Sequence, residues 1–511
     1  MQTSYQSNNG STFCLLSATL ALAASSALAD QPAGFTTTVK PYAVSSPDYV
    51  LKPILSVGDR VPLTSDSSKL FQMIGIPDGL GAYRIGCGNV GLYMNCEDAA
   101  TALSEPVVGA ARFRGAFVSR YILNGDAEVL SGEPAYDTIV DPAGNEVPPA
   151  REGNTTPPFV RLCSGSLAWL EAGFDRAIYF CGEENAAPGT FDGKGGLALA
   201  IFDHTAYTLP HLGHFSRENT LVRPHPTPET VMMLMEDGPA ADSQLYMYVA
   251  QKNRSYGANP LERNGLTGGK FYVFAAQGVT SEVAFQTGSV AGNWVEITGV
   301  VDMNEAQLET AADAVGAFGF IKSEDGAWSK TDKNEFFFNA TGDTATPPAP
   351  PAVAPAGNHL GRTYRLNLNK YDVTGLCTLT ILYSADQIVA AGGDIALTPD
   401  NMDTSKEFLM VDEDGSGYSR TVMANKGRDG MIWRYDLKNN YAATPVVMLS
   451  TPGRDGVAVG PGVWETSGIV STEHLFGRDS WLFDVQAHPP TAAPGTNTVE
   501  DGQLLLLMPA R

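Results

Sequence analysis

The stretch Arg161-Leu162-Cys163-Ser164-Gly165, followed by Leu167-Ala168-Trp169-Leu170, Ala177-Ile178-Tyr179-Phe180 and Cys181-Gly182-Glu183-Glu184-Asn185, sets a thiol at one end of a short apolar segment and two carboxylates at the other. The apolar residues predict a strand that stops at a Gly. Acids placed there, if buried, need something positive beside them, and a metal ion is the candidate.

The same unit recurs on both sides of this stretch. Residues 89–94 predict a strand ending in Asn95-Cys96-Glu97-Asp98, and residues 115–123 a second strand before the turn Asn124-Gly125-Asp126. Residues 197–202 and 206–209 predict a hairpin around Asp203-His204. Residues 230–235 run into Glu236-Asp237-Gly238 and predict a partner at 244–249, while 408–411 run into Asp412-Glu413-Asp414-Gly415. Strands over 430–436, 481–488 and 502–508 complete the pattern. Short sheets with polar residues at the strand ends predict an all-β fold, a β-propeller with loop insertions whose blades deliver loops to a central channel; a β-sandwich with long loops is the alternative. One added helix is predicted over 304–315, with acids near its start and Gly316 after it. Residues 30–69 read as an extended lead-in with little function of their own, 137–158 as a polar excursion, and 341–358 as a Pro-rich loop within a single propeller domain spanning 30–511.

Composition agrees with many strands joined by turns, because 53 Gly and 33 Pro are spread over 511 residues. With 56 acids against 33 bases, a net charge of -23 and no basic block, binding to the phosphate backbone of a nucleic acid is excluded as a function class. Near the N-terminus an apolar run at 13–24 precedes Ala27-Leu28-Ala29, which predicts a signal peptide over 1–29 and a secreted or periplasmic protein; no Lys or Arg precedes Lys40. No other segment is long enough to predict a membrane span, so no membrane association is expected after cleavage. The exported chain keeps Cys87, Cys96, Cys163, Cys181 and Cys377, an odd number that leaves at least one thiol unpaired. Disulfides joining Cys163 to Cys181 and Cys87 to Cys96 are one way to use the other four.

Glu97, Glu183, Glu184, Glu218, Asp237, Glu324 and Glu413 all flank apolar strands, and a closed propeller would gather such dispersed residues. Carboxylates suit hard cations such as calcium, and a thiolate among them shifts the preference towards iron or zinc. No C-x-x-C or H-x-x-x-H pair supports zinc, and His204, His211, His214 and His225 read as loop residues. No G-x-S-x-G, Walker or Rossmann glycine pattern is present.

Taken in order, Leu162-Cys163-Ser164-Gly165, Cys181-Gly182-Glu183-Glu184-Asn185, Gly213-His214-Phe215-Ser216-Arg217-Glu218, Lys322-Ser323-Glu324-Asp325-Gly326, Pro399-Asp400-Asn401 and the closing 484–488 segment resemble the PhoX-type alkaline phosphatases and their longer exported relatives, as does Asn95-Cys96-Glu97. The resemblance runs from about residue 91 to the C-terminus. It implies a β-propeller that holds ferric iron and calcium in its channel and hydrolyses phosphate monoesters, with a small-molecule phosphate ester as partner. It further implies Cys163 as the thiolate on iron, Glu218 and Glu324 as carboxylate ligands, and Glu183 or Glu184 as another. Lys322 and Glu324 would act on substrate, and Glu97, Asp237, Asp400 and Glu413 would complete the metal set. The chain departs from the family pattern at Lys322, where the family has Arg, keeping a charge while losing a bidentate fork. It departs again at Cys96 (for His), at the inserted Gly182 and at Ser166 (for Gly). Two other readings stand beside this one: a non-catalytic, calcium-stabilised exported propeller that binds a ligand or partner, and a phosphodiesterase or phytase-like hydrolase.

Overall fold

Six short strands stand side by side in a closed ring: Pro77–Arg84, Gly165–Ala168, Arg217–Val222, Ser323–Trp328, Pro399–Thr404 and Glu465–Ser471. The computed structural model describes residues 34–238, 242–347, 357–495 and 497–510. The expected signal peptide and the middle of the Pro-rich loop lie outside the described residues. Each ring strand is the innermost member of a mostly antiparallel sheet radiating outward, so the predicted propeller is observed, with six blades. One nine-stranded sheet is two blades, the third and fourth, joined where Ser289–Ile297 pairs with Cys377–Ser384.

The strands read as continuous apolar runs because both faces of a blade are covered by its neighbours. Side chains alternate between the two faces with period two. In Glu229–Glu236, Met232 and Leu234 enter the wedge shared with the second blade, while Met233 and Met235 enter the wedge shared with the fourth. Likewise Phe336 and Phe338 pack towards the third blade and Phe337 towards the fifth. The core is therefore six apolar wedges between blades.

The N-terminal segment does more than lead in. Tyr49–Ser56 is the outer strand of the sixth blade, paired with Asp501–Pro509, and Ala43–Ser45 is the outer strand of the fifth. It clasps the last blades to the first. Tyr42, Tyr49, Ile54 and Leu55 are buried by this clasp; at about 1.5–3 kcal/mol per large apolar side chain they match the whole of a typical folding free energy of about 5–15 kcal/mol. A chain lacking residues 34–56 is thus expected to show no cooperative thermal transition by circular dichroism, and an unchanged melt would refute the clasp.

The predicted helix is Glu305–Ala314, capped by Asn304 in a reciprocal box with Gln307, and its Leu308 and Ala312 join the wedge between the second and third blades. Two short helices, Ala385–Ala390 and Tyr418–Lys426, were not legible. Both are too short to display a periodic apolar face.

Candidate metal centre

The opening stretch is a hairpin, not one strand: Gly165–Ala168 and Ile178–Gly182 are antiparallel, linked by a turn at Leu170–Ala172, with Gly165 opposite Cys181. The fold-back brings Cys163 and Glu184 to the same mouth of the channel. All six ring strands begin at this mouth, and each carries an acid or thiol at its start: Asp78, Cys163, Glu218, Glu324, Asp400 and Glu465. A second set leaves the adjoining strands of the same blades, namely Glu97, Glu184, Asp237, Asp414 and His488.

A bulge contains or follows the acid in most ring strands. One extra residue interrupts the pairing between Asp78 and Leu80, Arg217 and Thr220, Ser323 and Gly326, and Pro399 and Met402. Such an insertion bends the strand and re-aims its side chains, so that Glu218, Glu324 and Asp400 reach one another. Their neighbours staple blade to blade: Asn219 donates to Asp325 at 2.6 Å, the Met402 amide donates to Asp325 at 3.2 Å, and Asn401 donates to Ser164 at 3.0 Å. Gly79 is required by the narrowness of the ring, since a Cβ there would stand 2.4 Å from the Gly165 amide nitrogen. Farther along, the same six strands line a cavity of about 640 Å³ walled by Leu80, Leu167, Leu221, Trp328, Met402 and Ile469.

Three groups of ligand atoms result, each within 4.8 Å: Glu97, Cys163 and Glu184; Asp78, Glu97 and Glu465; Glu218, Glu324 and Asp400. Glu97 belongs to two of them. Cys163 Sγ donates to Glu184, Ser164 Oγ donates to Glu218, and Gln486 Nε2 donates to Asp78 at 3.0 Å and Glu97 at 3.1 Å. Lys322 Nζ lies 3.2 Å from Asp237 Oδ2. His488 bridges Glu500 at 2.7 Å and Glu465 at 3.6 Å and is held protonated, its pKa raised to about 11 by those carboxylates against the cost of burial.

The electrostatics call for cations. Burial, then Glu324, Asp400 and Glu184, pushes the Glu218 carboxyl well above its usual range. Burial and Asp237 raise Glu324 against the pull of Lys322. Asp78 is raised by burial, Glu97 and Asp484, and Asp400 by burial, Glu324 and Glu465. Burial and the acids Glu184, Glu97 and Glu218 likewise raise the Cys163 thiol. Like charges crowded out of water are relieved by multivalent cations, and oxygen donors with a single sulfur fit hard ions plus one that accepts thiolate.

Of the residues singled out in the sequence, Cys163, Glu184, Glu97, Glu218, Glu324 and Asp400 come together, with Asp237 and Lys322 beside them. Glu183 and Glu413 are not in these groups. Glu183 accepts from the amides of Phe191 at 2.9 Å and Leu197 at 3.4 Å; Glu413 is enclosed by Arg428, the Trp433 indole and the amides of Leu397 and Met431. The disulfide alternative is not observed, all five described cysteines being free thiols. Asp78 and Glu465 were missed. Pro77-Asp78-Gly79 repeats the acid-at-strand-start pattern of Pro399-Asp400-Asn401, a signal that was available; nothing local marks Glu465.

No protein-family profile and no curated protein matches the sequence. Among solved structures the chain is similar to Pseudomonas fluorescens PhoX in complex with vanadate, a transition state analogue, with a TM-score of 0.65 at 14% identity over 93% of this chain and 97% of that one. A luciferin-regenerating enzyme (TM-score 0.35, 8% identity, 90% of this chain and 95% of that one) and a NanB sialidase from Streptococcus pneumoniae (0.28, 7%, 85% and 57%) are more distant. The chain has a PhoX-like propeller fold. Among the described residues no helix is long and apolar enough to cross a membrane.

Proposed function

We propose that this protein is an exported, metal-dependent phosphatase that hydrolyses small phosphate monoesters at the acid-lined mouth of the propeller. The observation that carries the reading is the convergence of Asp78, Glu97, Cys163, Glu184, Glu218, Glu324, Asp400 and Glu465 into three adjoining ligand groups at one end of the channel. Likeness over nearly the full length to a fold solved in complex with vanadate, a transition state analogue, supports it. Export is supported by the apolar segment at 13–24 and its A-x-A site.

Glu97, Cys163 and Glu184 would hold iron, since that group alone offers sulfur, and the two all-carboxylate groups would hold calcium. Bound cations supply charge neutralisation for the phosphoryl oxygens. The chain's own groups do the rest. Lys322 contributes a compact positive charge, aimed by Asp237, to one side of the ester. Ser164, fixed by Asn401, orients the Glu218 carboxylate, and Gln486 keeps Asp78 and Glu97 turned inward.

Purified mature protein should contain iron and calcium by plasma mass spectrometry and hydrolyse p-nitrophenyl phosphate, and Cys163→Ala should lose iron together with at least about a hundredfold of that activity. Iron-free protein, or full activity in the variant, would overturn the assignment. Calcium without turnover would instead support a ligand-binding propeller, and preference for bis-p-nitrophenyl phosphate a diesterase.

A further inference from the structure

The chain enters four of the six ring strands in the same way. Ile76, Arg161, Lys322 and Thr398 each stand two residues before Asp78, Cys163, Glu324 and Asp400, and each has a positive φ, of 52°, 43°, 58° and 44° respectively. Left-handed backbone at a residue with a side chain is costly and persists where its surroundings hold it. Two of these equivalent positions carry cations at the acid mouth. Lys322 serves the fourth blade, paired with Asp237, and Arg161 serves the second, paired with Glu184.

The Arg161 Nε lies 3.1 Å from Glu184 Oε2 and 3.5 Å from Glu97 Oε1, and its Nη2 also donates to Glu184. Its side chain is 48% exposed, whereas those of Glu97 and Glu184 are 17% and 9% exposed. The guanidinium thus lies on the solvent side of the thiol-bearing ligand group. Nη1 makes no hydrogen bond among the described residues, leaving N–H donors free on that edge of the guanidinium plane. Once cations share the charge of Glu97 and Glu184, the best remaining partner for a permanent guanidinium is an anion with two adjacent oxygens, which a planar fork matches and an ammonium does not.

We propose that Arg161 is a substrate-binding residue of this site, gripping two oxygens of the phosphate ester beside Glu184. This rests on the phosphatase reading. It makes Arg161 the geometric selector of the mouth and Lys322 a point charge.

The test uses the metal-loaded full chain and its Arg161→Lys and Arg161→Gln variants, with inorganic phosphate as the calorimetric probe alongside metal content, thermal melts and p-nitrophenyl phosphate kinetics. Arg161→Lys is expected to weaken phosphate binding and raise KM by about tenfold or more, with kcat falling less and metal content and Tm unchanged. Arg161→Gln should weaken phosphate binding further. Phosphate affinity within twofold of the unaltered chain in both variants would overturn the assignment while leaving the phosphatase reading intact. Loss of metal or of folding in both variants would overturn it too, making Arg161 a brace for Glu97 and Glu184. If the unaltered, metal-loaded chain neither binds phosphate nor hydrolyses the ester, the phosphatase reading itself fails and the role of Arg161 falls with it.

Discussion

Glu97→Gln is expected to lower phosphate-ester hydrolysis by about a thousandfold or more and to strip ions from two positions at once. Glu97 offers ligand atoms to two of the three groups, with Cys163 and Glu184 on one side and Asp78 and Glu465 on the other. An amide in its place removes a negative charge from both. A thousandfold corresponds to about 4 kcal/mol of transition-state stabilisation, within what cation clamping contributes to phosphoryl transfer. Metal content of the purified variant should therefore fall by more than in Cys163→Ala, which touches one group. Glu413→Gln is the contrasting case. That carboxylate is fully buried and pairs with Arg428 at 2.7 Å, so its loss should cost about 3–5 kcal/mol of stability, read as a lower Tm, without a selective loss of ions. Equal metal loss in the two variants would contradict the arrangement of the site.

The second large effect concerns pH. Burial pushes Asp237, Asp325 and Glu465 up to about 7 and Glu183 up to about 8. A carboxyl whose pKa is higher in the folded chain than in the unfolded one holds its proton more tightly when folded. Its contribution is fully present below the unfolded value near 4 and is lost as pH climbs through the folded value. His488, raised to about 11, has the same sign above its unfolded value near 6.5. Asp175, lowered to about 2 with Arg263 opposing its burial, acts only below pH 4. Metal-free protein in chelator should consequently lose about 10 °C or more of Tm between pH 5 and pH 8. Calcium should restore most of that loss at pH 8 and do little at pH 5, where the carboxyls keep their protons. A Tm that is flat with pH in chelator would mean the channel acids are not desolvated as described.

Much of the fold is legible in the sequence. Runs such as 231–235 are apolar at every position because blades cover both faces, and Asn304 with Gln307 marks the helix start by its own local chemistry. The N-terminal segment was misjudged because its partners, Asp501–Pro509 and Ala442–Leu449, lie about 400 residues or more away, and no local pattern announces a pairing of that separation. The hairpin at 165–182 was read as one strand because its turn residues, Leu170–Ala172, are themselves apolar or helix-compatible.

The sequence by itself determined the strands, the acids and thiol at their ends, and the excess of negative charge that needs cations, since these follow from side-chain chemistry and from periods of two and 3.6. Only the tertiary structure decided which of two neighbouring acids faces the channel. Glu184 does and Glu183 does not; Asp78 and Glu465 do, although one had little and the other no signal. The reason is geometric: one extra residue in a bulged strand re-aims a side chain, and closing six blades into a ring sets which of the re-aimed groups come within reach of one another.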